Sequence, residues 1–241
     1  MGDQNSQTPS SRPYKGLVFD VLYTLVDDSG FPRDVILRFL KESGVQVDWE
    51  EYNREYESYR KILFDWPAIH PFVRVWDLHR RRLQHFYDLY SVKRNVDKDL
   101  ARVWEYIGTS HIYPDVPEVL PRLKKKFKIG ILSNADKDDP LIRKLIGRGF
   151  EFDAILTSEE AGCYKPDRRI FEMMAEKMSL PLNALLMVGD SISADLTGGY
   201  RAGMDVAWIN RDGKKLSPGV HPPDYEFPDL QKLSEFLCGG T

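Results

Sequence analysis

Cysteine is scarce in this chain. Cys163 and Cys238 are the only two among 241 residues. They are too far apart to form a metal-binding pair, and two are too few for a disulfide scaffold in a chain of this length. Cys163 also has no base beside it in the sequence, so we expect a structural thiol. The simplest interpretation is a reduced, cytoplasmic protein.

Long apolar runs and an excess of basic residues are also missing. No apolar run approaches the roughly 18 residues of a membrane span. The first dozen residues are polar and lack the apolar centre of a secretory signal, and we expect residues 1–13 to be a disordered tail. The formal net charge of −3 argues against nucleic acid or an anionic membrane surface as a partner. We expect a small-molecule substrate, and a monomer or a homodimer.

The apolar residues that are present follow a repeated pattern. They make up 42% of the chain, which is enough for a sizeable core and fits one large domain or a domain with an insert. Short apolar runs alternate with longer helical patterns. Four or five residues with little polar alternation suit parallel strands that are covered on both faces. The pattern predicts an α/β fold with strands at residues 16–19, 128–132, 154–157, 185–189 and 205–209.

One long interval interrupts this alternation. Residues 29–113 carry no convincing strand signal and are helical in pattern, with many Trp, Tyr, Arg and His residues. We interpret this range as an all-α insert. Residues 14–28 and 114–241 then form the α/β core. Asp115 is positioned to cap a helix that starts at the core's side of this boundary, although Pro121 predicts a kink or a later start.

The aromatic and basic residues of the insert have ordinary structural explanations. The run Arg80–Arg82 is expected to be solvated. The aromatic side chains are expected mostly to pack inside the insert, and those concerned are Trp49, Tyr52, Tyr56, Trp66, Phe72 and Trp76.

Polar side chains follow four of the predicted strands. In an open parallel sheet, ligands bind at the carboxyl ends of the strands. Each of these residues alone is most often a turn former or a helix cap, but their order past separate strands indicates a site. The residues are Asp20 and Thr24 after the first strand, Ser133 and Asn134 after the second, Lys165 beyond the third, and Asp190 and Asp195 after the fourth.

This combination suits attack on a phosphate group. An exposed carboxylate such as Asp20 can act as a nucleophile and form a covalent intermediate. Asp20 and Asp190 would repel each other unless a cation lay between them, and Mg²⁺ is the hard cation that accepts carboxylate and phosphate oxygens. Ser133, the backbone amides after it and Lys165 would hold the other phosphate oxygens.

The same residues resemble the four motifs of the haloacid dehalogenase (HAD) superfamily. The first motif, Asp-x-Asp-x-Thr, corresponds to residues 20–24 (DVLYT). The second is a strand that ends in Ser or Thr, here Ser133, and the third is Lys165 in YKPD. The fourth, Gly-Asp-x₄-Asp, supplies Asp190 and Asp195. The resemblance implies a Rossmann-like parallel sheet, with the helical insert as a four-helix C1 cap.

The first motif departs from the phosphatase pattern at its second acid. In the phosphatases that Asp protonates the leaving alcohol and later activates water, and here the residue is Leu22. The backbone carbonyl at this position binds Mg²⁺ in the family, so the resemblance implies Asp20, Leu22 and Asp190 as the metal ligands. Loss of the acid is expected to cost about 10²–10⁴-fold on a poor leaving group.

The expected catalytic residues are Asp20, Ser133, Lys165 and Asp195. We expect three residues close to them in the sequence to contact the substrate. They are Tyr23, which replaces the usual glycine with a bulky side chain, Thr24 and Asn134.

The L-2-haloacid dehalogenase branch of the superfamily offers another interpretation. Its members also lack the second acid, because a halide leaves without a proton. Residues 70–83 and 206–216 look like that branch. However, the branch needs no Mg²⁺, has a small residue at the position of Asp190 and has Tyr at the position of Phe171. Its halide-binding arginine has no secure counterpart, and the candidates are Arg33, Arg38 and Arg54.

Three hypotheses follow. The first is a Mg²⁺-dependent hydrolase of a small phosphorylated metabolite, in which Leu22 favours good leaving groups such as acyl phosphates. The second is a 2-haloacid dehalogenase, in which Asp20 attacks the carbon that bears the halogen and Asp195 activates water. The third is a catalytically impaired protein that binds a ligand or partner through its cap, and Leu22 is the feature that supports it.

Overall fold

The computed structural model describes residues 14–28, 33–63 and 71–239. The tail predicted over residues 1–13 lies outside this range, and so does Trp66.

The strands form two sheets in the described part of the chain. Six of them make a parallel sheet in the order β5-β4-β1-β6-β7-β8, and the other two pair with each other. The strands are β1 (Gly16–Phe19), β2 (Val26–Asp27), β3 (His111–Ile112), β4 (Lys128–Ser133), β5 (Ala154–Thr157), β6 (Leu185–Gly189), β7 (Asp205–Ile209) and β8 (Tyr225–Phe227).

The large sheet confirms the predicted α/β class. The five apolar runs form β1, β4, β5, β6 and β7 at or within one residue of the predicted ranges. Strand β1 lies in the middle, paired with β4 on one side and β6 on the other. Its Leu17, Val18 and Phe19 are fully buried, which explains the unbroken apolar run. Strand β8 was not predicted, because it has three residues and exposes Glu226 at the sheet edge.

The two-residue strands β2 and β3 form an antiparallel pair. Val26 pairs with Ile112, and Asp27 pairs with His111. The expectation that residues 29–113 contain no strand was therefore wrong at the end of that range, where β3 lies. Two residues are too few to show the alternation by which a strand is recognised in sequence.

Helices cover the sheet and fill the interval between β2 and β3. No described helix has both the length and the apolar character that crossing a membrane requires. Four lie between β2 and β3, namely α1 (Arg33–Glu42), α2 (Trp49–Leu63), α3 (Val75–Leu89) and α4 (Val96–Ile107). The others are α5 (Val116–Lys124), α6 (Pro140–Gly147), α7 (Ser158–Ala161), α8 (Arg168–Met178), α9 (Thr197–Ala202) and α10 (Leu230–Cys238).

Helices α1–α4 pack around a core of aromatic and aliphatic side chains. Tyr52 and Tyr56 are buried there, as predicted. Two expectations about this region were wrong. Trp49 is 45% exposed, because it begins α2 at the surface, and Arg82 is 2% exposed. Arg82 lies on the buried face of α3, where its Nη1 donates to the hydroxyl of Tyr56 at 3.2 Å.

Helix α5 differs from its prediction at the start. It begins at Val116 and continues through Pro121, so there is no later start. Asp115 precedes the helix but its carboxylate does not cap it. Instead, the carboxylate accepts from Arg211 at 3.1 Å and from the backbone N–H of Leu230 at 2.9 Å. Asp115 therefore ties α5 to the loop after β7 and to α10.

Candidate active site

The central strand of the large sheet places Asp20 at the site. Asp20 follows β1 directly, and its backbone N–H donates to the carbonyl of Val188 in β6 at 2.9 Å. The residue is 8% exposed, so it reaches solvent only at the carboxyl end of the sheet. Because β4 and β6 flank β1, Ser133 and Asp190 follow the two neighbouring strands at the same edge.

Lys165 is the cation of the site and is almost completely buried. Its Nζ lies 2.6 Å from Asp20 Oδ1, 2.7 Å from Asp195 Oδ1 and 2.8 Å from the carbonyl of Leu132. These acceptors match the three N–H groups of an ammonium. Burial lowers the pKa of Lys165, but the charges of Asp195 and Asp20 raise it more, so the net shift is upward. Lys165 therefore stays charged at neutral pH.

The carboxylates of the site are held at an electrostatic cost. Burial raises the pKa of Asp20 to about 6, although the charge of Lys165 acts in the opposite direction. Burial also raises the pKa of Asp190 to about 8, and the charges of Asp20 and Asp195 add to this effect. The pKa values of Asp20 and Asp190 are raised further because other carboxylates lie near them.

The three acids have the chemistry of a Mg²⁺ site. Carboxylate oxygens of Asp20, Asp190 and Asp195 all lie within 4.8 Å of one another. Hard oxygen ligands with a shared excess of negative charge are what Mg²⁺ accepts. Asp195 is already engaged, because its Oδ1 contacts Lys165 and its Oδ2 accepts from the backbone N–H of Ser191 at 3.0 Å. Asp20 and Asp190 are therefore the better candidates for direct ligands, with the carbonyl of Leu22 as the third expected one.

Gly189 leaves room for Asp195. A Cβ atom at this glycine would meet Asp195 Oδ2 at 2.3 Å, which no side chain tolerates. The position of the Asp195 carboxylate therefore requires a glycine at position 189. The indole N–H of Trp208 holds the other side of this turn, since it donates to the carbonyl of Asp190 at 2.9 Å.

Asn134 connects the second motif to the third. Its Oδ1 accepts from the backbone N–H of Lys165 at 2.8 Å, and its Nδ2 donates to the carbonyl of Lys165 at 3.1 Å. Both ends of the amide are thus engaged with the backbone. Ser133, the residue before it, ends β4 and is 7% exposed. The predicted contact between Asn134 and the substrate stays a prediction. In the structure, Asn134 holds the backbone of Lys165 in place.

Tyr23 adopts a backbone conformation that suits glycine. Its φ is 59°, in the left-handed region that costs an ordinary residue about 1–2 kcal/mol. The usual glycine at this position would avoid that cost. The ring is 40% exposed, and its hydroxyl donates to Asp28 Oδ2 at 2.7 Å. Tyr23 therefore presents an exposed aromatic surface one residue beyond Leu22, and its predicted contact with substrate stays a prediction.

Thr24, the last residue of the first motif, is fully buried. Its Oγ1 has no hydrogen-bond partner among the described residues, and its carbonyl accepts from Arg211 Nη2 at 3.0 Å. Thr24 lies in the loop between β1 and β2, and its predicted contact with substrate stays a prediction.

Sequence reasoning did not single out four residues that support these loops. Asp28 holds Tyr23, and Arg211 joins Thr24 to Asp115. The other two are Asp136, which contacts the start of α3, and Tyr164, which contacts Val73 just before that helix. Each lies within a few residues of a motif or of a sheet end, which was an available signal. A linear sequence does not tell where such side chains point.

Both phosphatases and dehalogenases are similar to this chain. The (S)-2-haloacid dehalogenase H-109 of Pseudomonas putida is 24% identical over 94% of this chain and 99% of its own length. The pyrimidine 5′-nucleotidase YjjG of Escherichia coli is 31% identical, but the match covers 52% of this chain and 56% of that protein. The chain thus matches about half the length of the nucleotidase.

The fold also matches a solved structure. The HAD-hydrolase YfnB of Bacillus subtilis, bound to magnesium, superposes with a TM-score of 0.77 at 22% identity, over 94% of this chain and all of that one. The family model of haloacid dehalogenase-like hydrolases matches residues 14–203, which include every predicted site residue. The chain therefore belongs to the haloacid dehalogenase-like hydrolase family.

Proposed function

We propose that the protein is a Mg²⁺-dependent hydrolase of a small phosphorylated compound, with Asp20 as the nucleophile. The observation that carries this proposal is the cluster of Asp20, Asp190 and Asp195 at the carboxyl ends of parallel strands, in which Lys165 pairs with Asp20 and Asp195. A third acid would be an unnecessary cost for a site that binds no cation. The likeness to a nucleotidase points the same way.

In the first step, Asp20 attacks phosphorus. A carboxylate oxygen forms the new P–O bond, and the bond from phosphorus to the leaving oxygen breaks with its electron pair. In the second step, water attacks the phosphorus of the aspartyl phosphate, so that Asp20 is restored and inorganic phosphate leaves. Lys165 stabilises the charge on the transferred group and holds Asp20 in place, while Asp195 positions the lysine.

A bound Mg²⁺ would neutralise the phosphate and relieve the repulsion between Asp20 and Asp190. Ser133 and the backbone N–H groups after it would hold a second phosphate oxygen.

Leu22 determines which leaving groups are acceptable. Its side chain cannot give a proton to a departing oxygen. An alkoxide needs that proton, whereas the carboxylate released from an acyl phosphate does not. We therefore propose acyl phosphates or similar anhydrides as the preferred class.

A 2-haloacid dehalogenase is the second candidate, and Leu22 favours it too. Asp20 would attack the carbon that bears the halogen, and halide would leave with the bonding electrons. Asp195 would activate a water molecule, which would then hydrolyse the resulting ester. The likeness to a dehalogenase along nearly the whole chain supports this candidate. The presence of Asp190 counts against it, because a site for a neutral carbon–halogen bond gains nothing from a third carboxylate.

One set of assays separates these functions. Phosphate release from acetyl phosphate and from alkyl phosphates is measured with Mg²⁺ and with EDTA, beside halide release from 2-chloropropionate. The proposal expects Mg²⁺-dependent phosphate release that Asp20→Asn abolishes. Asp138→Asn, an exposed acid on the loop before α6, is the matched control and keeps activity. Halide release that resists EDTA would overturn the proposal, and absence of both activities would favour a protein that only binds.

A further inference from the structure

The start of helix α3 is held by a side chain from the α/β core. Asp136, in the loop after β4, accepts from the backbone N–H of Val75 through Oδ1 at 2.8 Å and from that of Trp76 through Oδ2 at 2.7 Å. Arg74, at the N-cap position of α3, makes no side-chain cap of its own. The carboxylate of Asp136 is fully buried and so substitutes for the missing cap across 60 residues of sequence.

A second core residue holds the same stretch of chain. The hydroxyl of Tyr164 donates to the carbonyl of Val73. Its ring packs on Phe72, with the ring centroids 5.0 Å apart. Tyr164 is 3% exposed, so this contact is sealed from water. Two independent contacts therefore fasten the segment that leads into α3.

Both contacts come from loops that carry site residues. Asp136 lies three residues after Ser133, and Tyr164 directly precedes Lys165. The amide of Asn134 already joins these two loops through its pair of hydrogen bonds to Lys165. The loops that carry Ser133 and Lys165 therefore also hold the start of α3 and the residues just before it.

We propose that Asp136 and Tyr164 are positioning residues that set the orientation of α3, and with it of helices α1–α4, over the active site. Neither residue contacts the reacting atoms. A carboxylate that caps a helix N-terminus shifts an equilibrium by about fivefold, which is enough to favour one orientation over its neighbours. The effect on turnover rests on the proposed function, whereas the effect on orientation does not.

The orientation is measured without substrate. Spin labels are attached to Leu89→Cys in α3 and Met173→Cys in α8, both at exposed positions, in a Cys238→Ser background. Cys163 is buried and is left in place. The distance between the labels is measured by pulsed electron paramagnetic resonance. We expect one narrow distribution in the parent protein.

Two conservative variants test the contacts separately. Asp136→Asn replaces one acceptor oxygen with a donor, and Tyr164→Phe removes only the hydroxyl. We expect each to shift or broaden the distance distribution. The matched control is Asp139→Asn, because Asp139 caps α6 through the N–H groups of Leu141 and Ile142, at 2.9 and 3.0 Å, and α6 belongs to the core. An unchanged distribution in both test variants, with urea unfolding confirming that they are folded, would overturn the proposal.

Steady-state kinetics measure what the orientation does for the substrate. On acetyl phosphate, Asp136→Asn and Tyr164→Phe are expected to raise KM about fivefold, the size of one lost capping interaction, with a smaller change in kcat. Asp139→Asn should lower stability without this split. Equal loss of kcat in all three variants would contradict a positioning role. Absence of activity in the parent protein contradicts the proposed function alone, since the distance measurement decides the orientation independently.

Discussion

Lys165 and Asp20 are 145 positions apart in the sequence, but an ion pair of 2.6 Å joins Nζ of the lysine to Oδ1 of the acid. Both side chains are buried at the end of the central strand, and Asp195 binds the same ammonium from the other side. Removing the lysine would leave two buried carboxylates without their counter-ion. The pair is therefore a structural element of the fold, beside the catalytic role proposed for it.

The first prediction concerns stability. Lys165→Met should lower the free energy of unfolding by about 3 kcal/mol at neutral pH, because breaking a buried pair leaves uncompensated charge. Urea unfolding followed by circular dichroism measures this value. The matched control is Lys124→Met, whose ammonium lies 2.7 Å from Asp153 at a site about one-third exposed. That variant should lose at most about 1 kcal/mol. Equal losses would show that burial of the Lys165 pair has no special effect.

The second prediction concerns the metal. Burial and the charges of Asp20 and Asp195 raise the pKa of Asp190 to about 8, above its ordinary value of 3.8. The folded state therefore holds this proton more tightly than the unfolded state, and stability falls as pH rises between these two values. Asp190→Asn removes that loss. In EDTA at about pH 8.5, the variant should unfold at a higher urea concentration than the wild type.

Addition of Mg²⁺ should reverse this order. A ligand that binds only the folded state raises its stability, so the wild type should gain and Asp190→Asn should not. Asp138→Asn, an exposed acid, is the control and should respond to Mg²⁺ as the wild type does. A wild type whose unfolding midpoint ignores Mg²⁺ would contradict the assignment of the metal site.

The third prediction concerns the missing acid. Leu22→Asp restores a group that can protonate a departing alkoxide, and kcat on alkyl phosphates should rise about 10²–10⁴-fold. Turnover of acetyl phosphate should change little, because its leaving group needs no proton. Leu22→Asn has nearly the same shape and cannot exchange protons, so it is the control. A similar rise in both variants would mean that side-chain size, rather than acid catalysis, is responsible.

The fourth prediction concerns His79 on the buried face of α3. Burial, and then the charge of Arg82, hold the pKa of His79 well below 6.5. The unfolded chain takes up this proton near pH 6.5, but the folded chain does not. Stability is therefore complete above that pH and is lost as pH falls below it, with a slope that approaches about 1.4 kcal/mol per pH unit.

Urea unfolding of the wild type and His79→Gln at a series of pH values isolates this effect. The difference between their free energies of unfolding should shrink as the pH is lowered from about 7.5 to about 5.5. His111→Gln, at an exposed position in β3, is the matched control. A difference that stays constant over this range would show that His79 takes up a proton in the folded state.

Much of the sheet could be predicted because buried strands have a recognisable apolar sequence pattern. Parallel strands covered on both faces must be apolar at every position, and GLVF and LLMVG show this directly. The residues after those strands were then expected at one edge, and Asp20, Lys165, Asp190 and Asp195 lie together there.

Other features have no such pattern. Strand β8 is short and lies at the edge, so its pattern is ambiguous. Arg82 looked like part of a solvated run of arginines, but helical geometry turns one residue in three or four toward the core. The hydrogen bonds from α3 to Asp136 depend on how two segments that are distant in the sequence pack together. No local sequence pattern indicates such packing.

The pairing of Asp27 with His111 has a consequence for how this protein can be rebuilt. The chain leaves the large sheet and returns to it through two strands that lie side by side. A short turn could join these two residues directly, since neighbouring antiparallel strands need only a two-residue connection. We therefore expect the intervening helices to be exchangeable as a unit, and a relative's helices grafted at the same junction would test which substrate preferences travel with them.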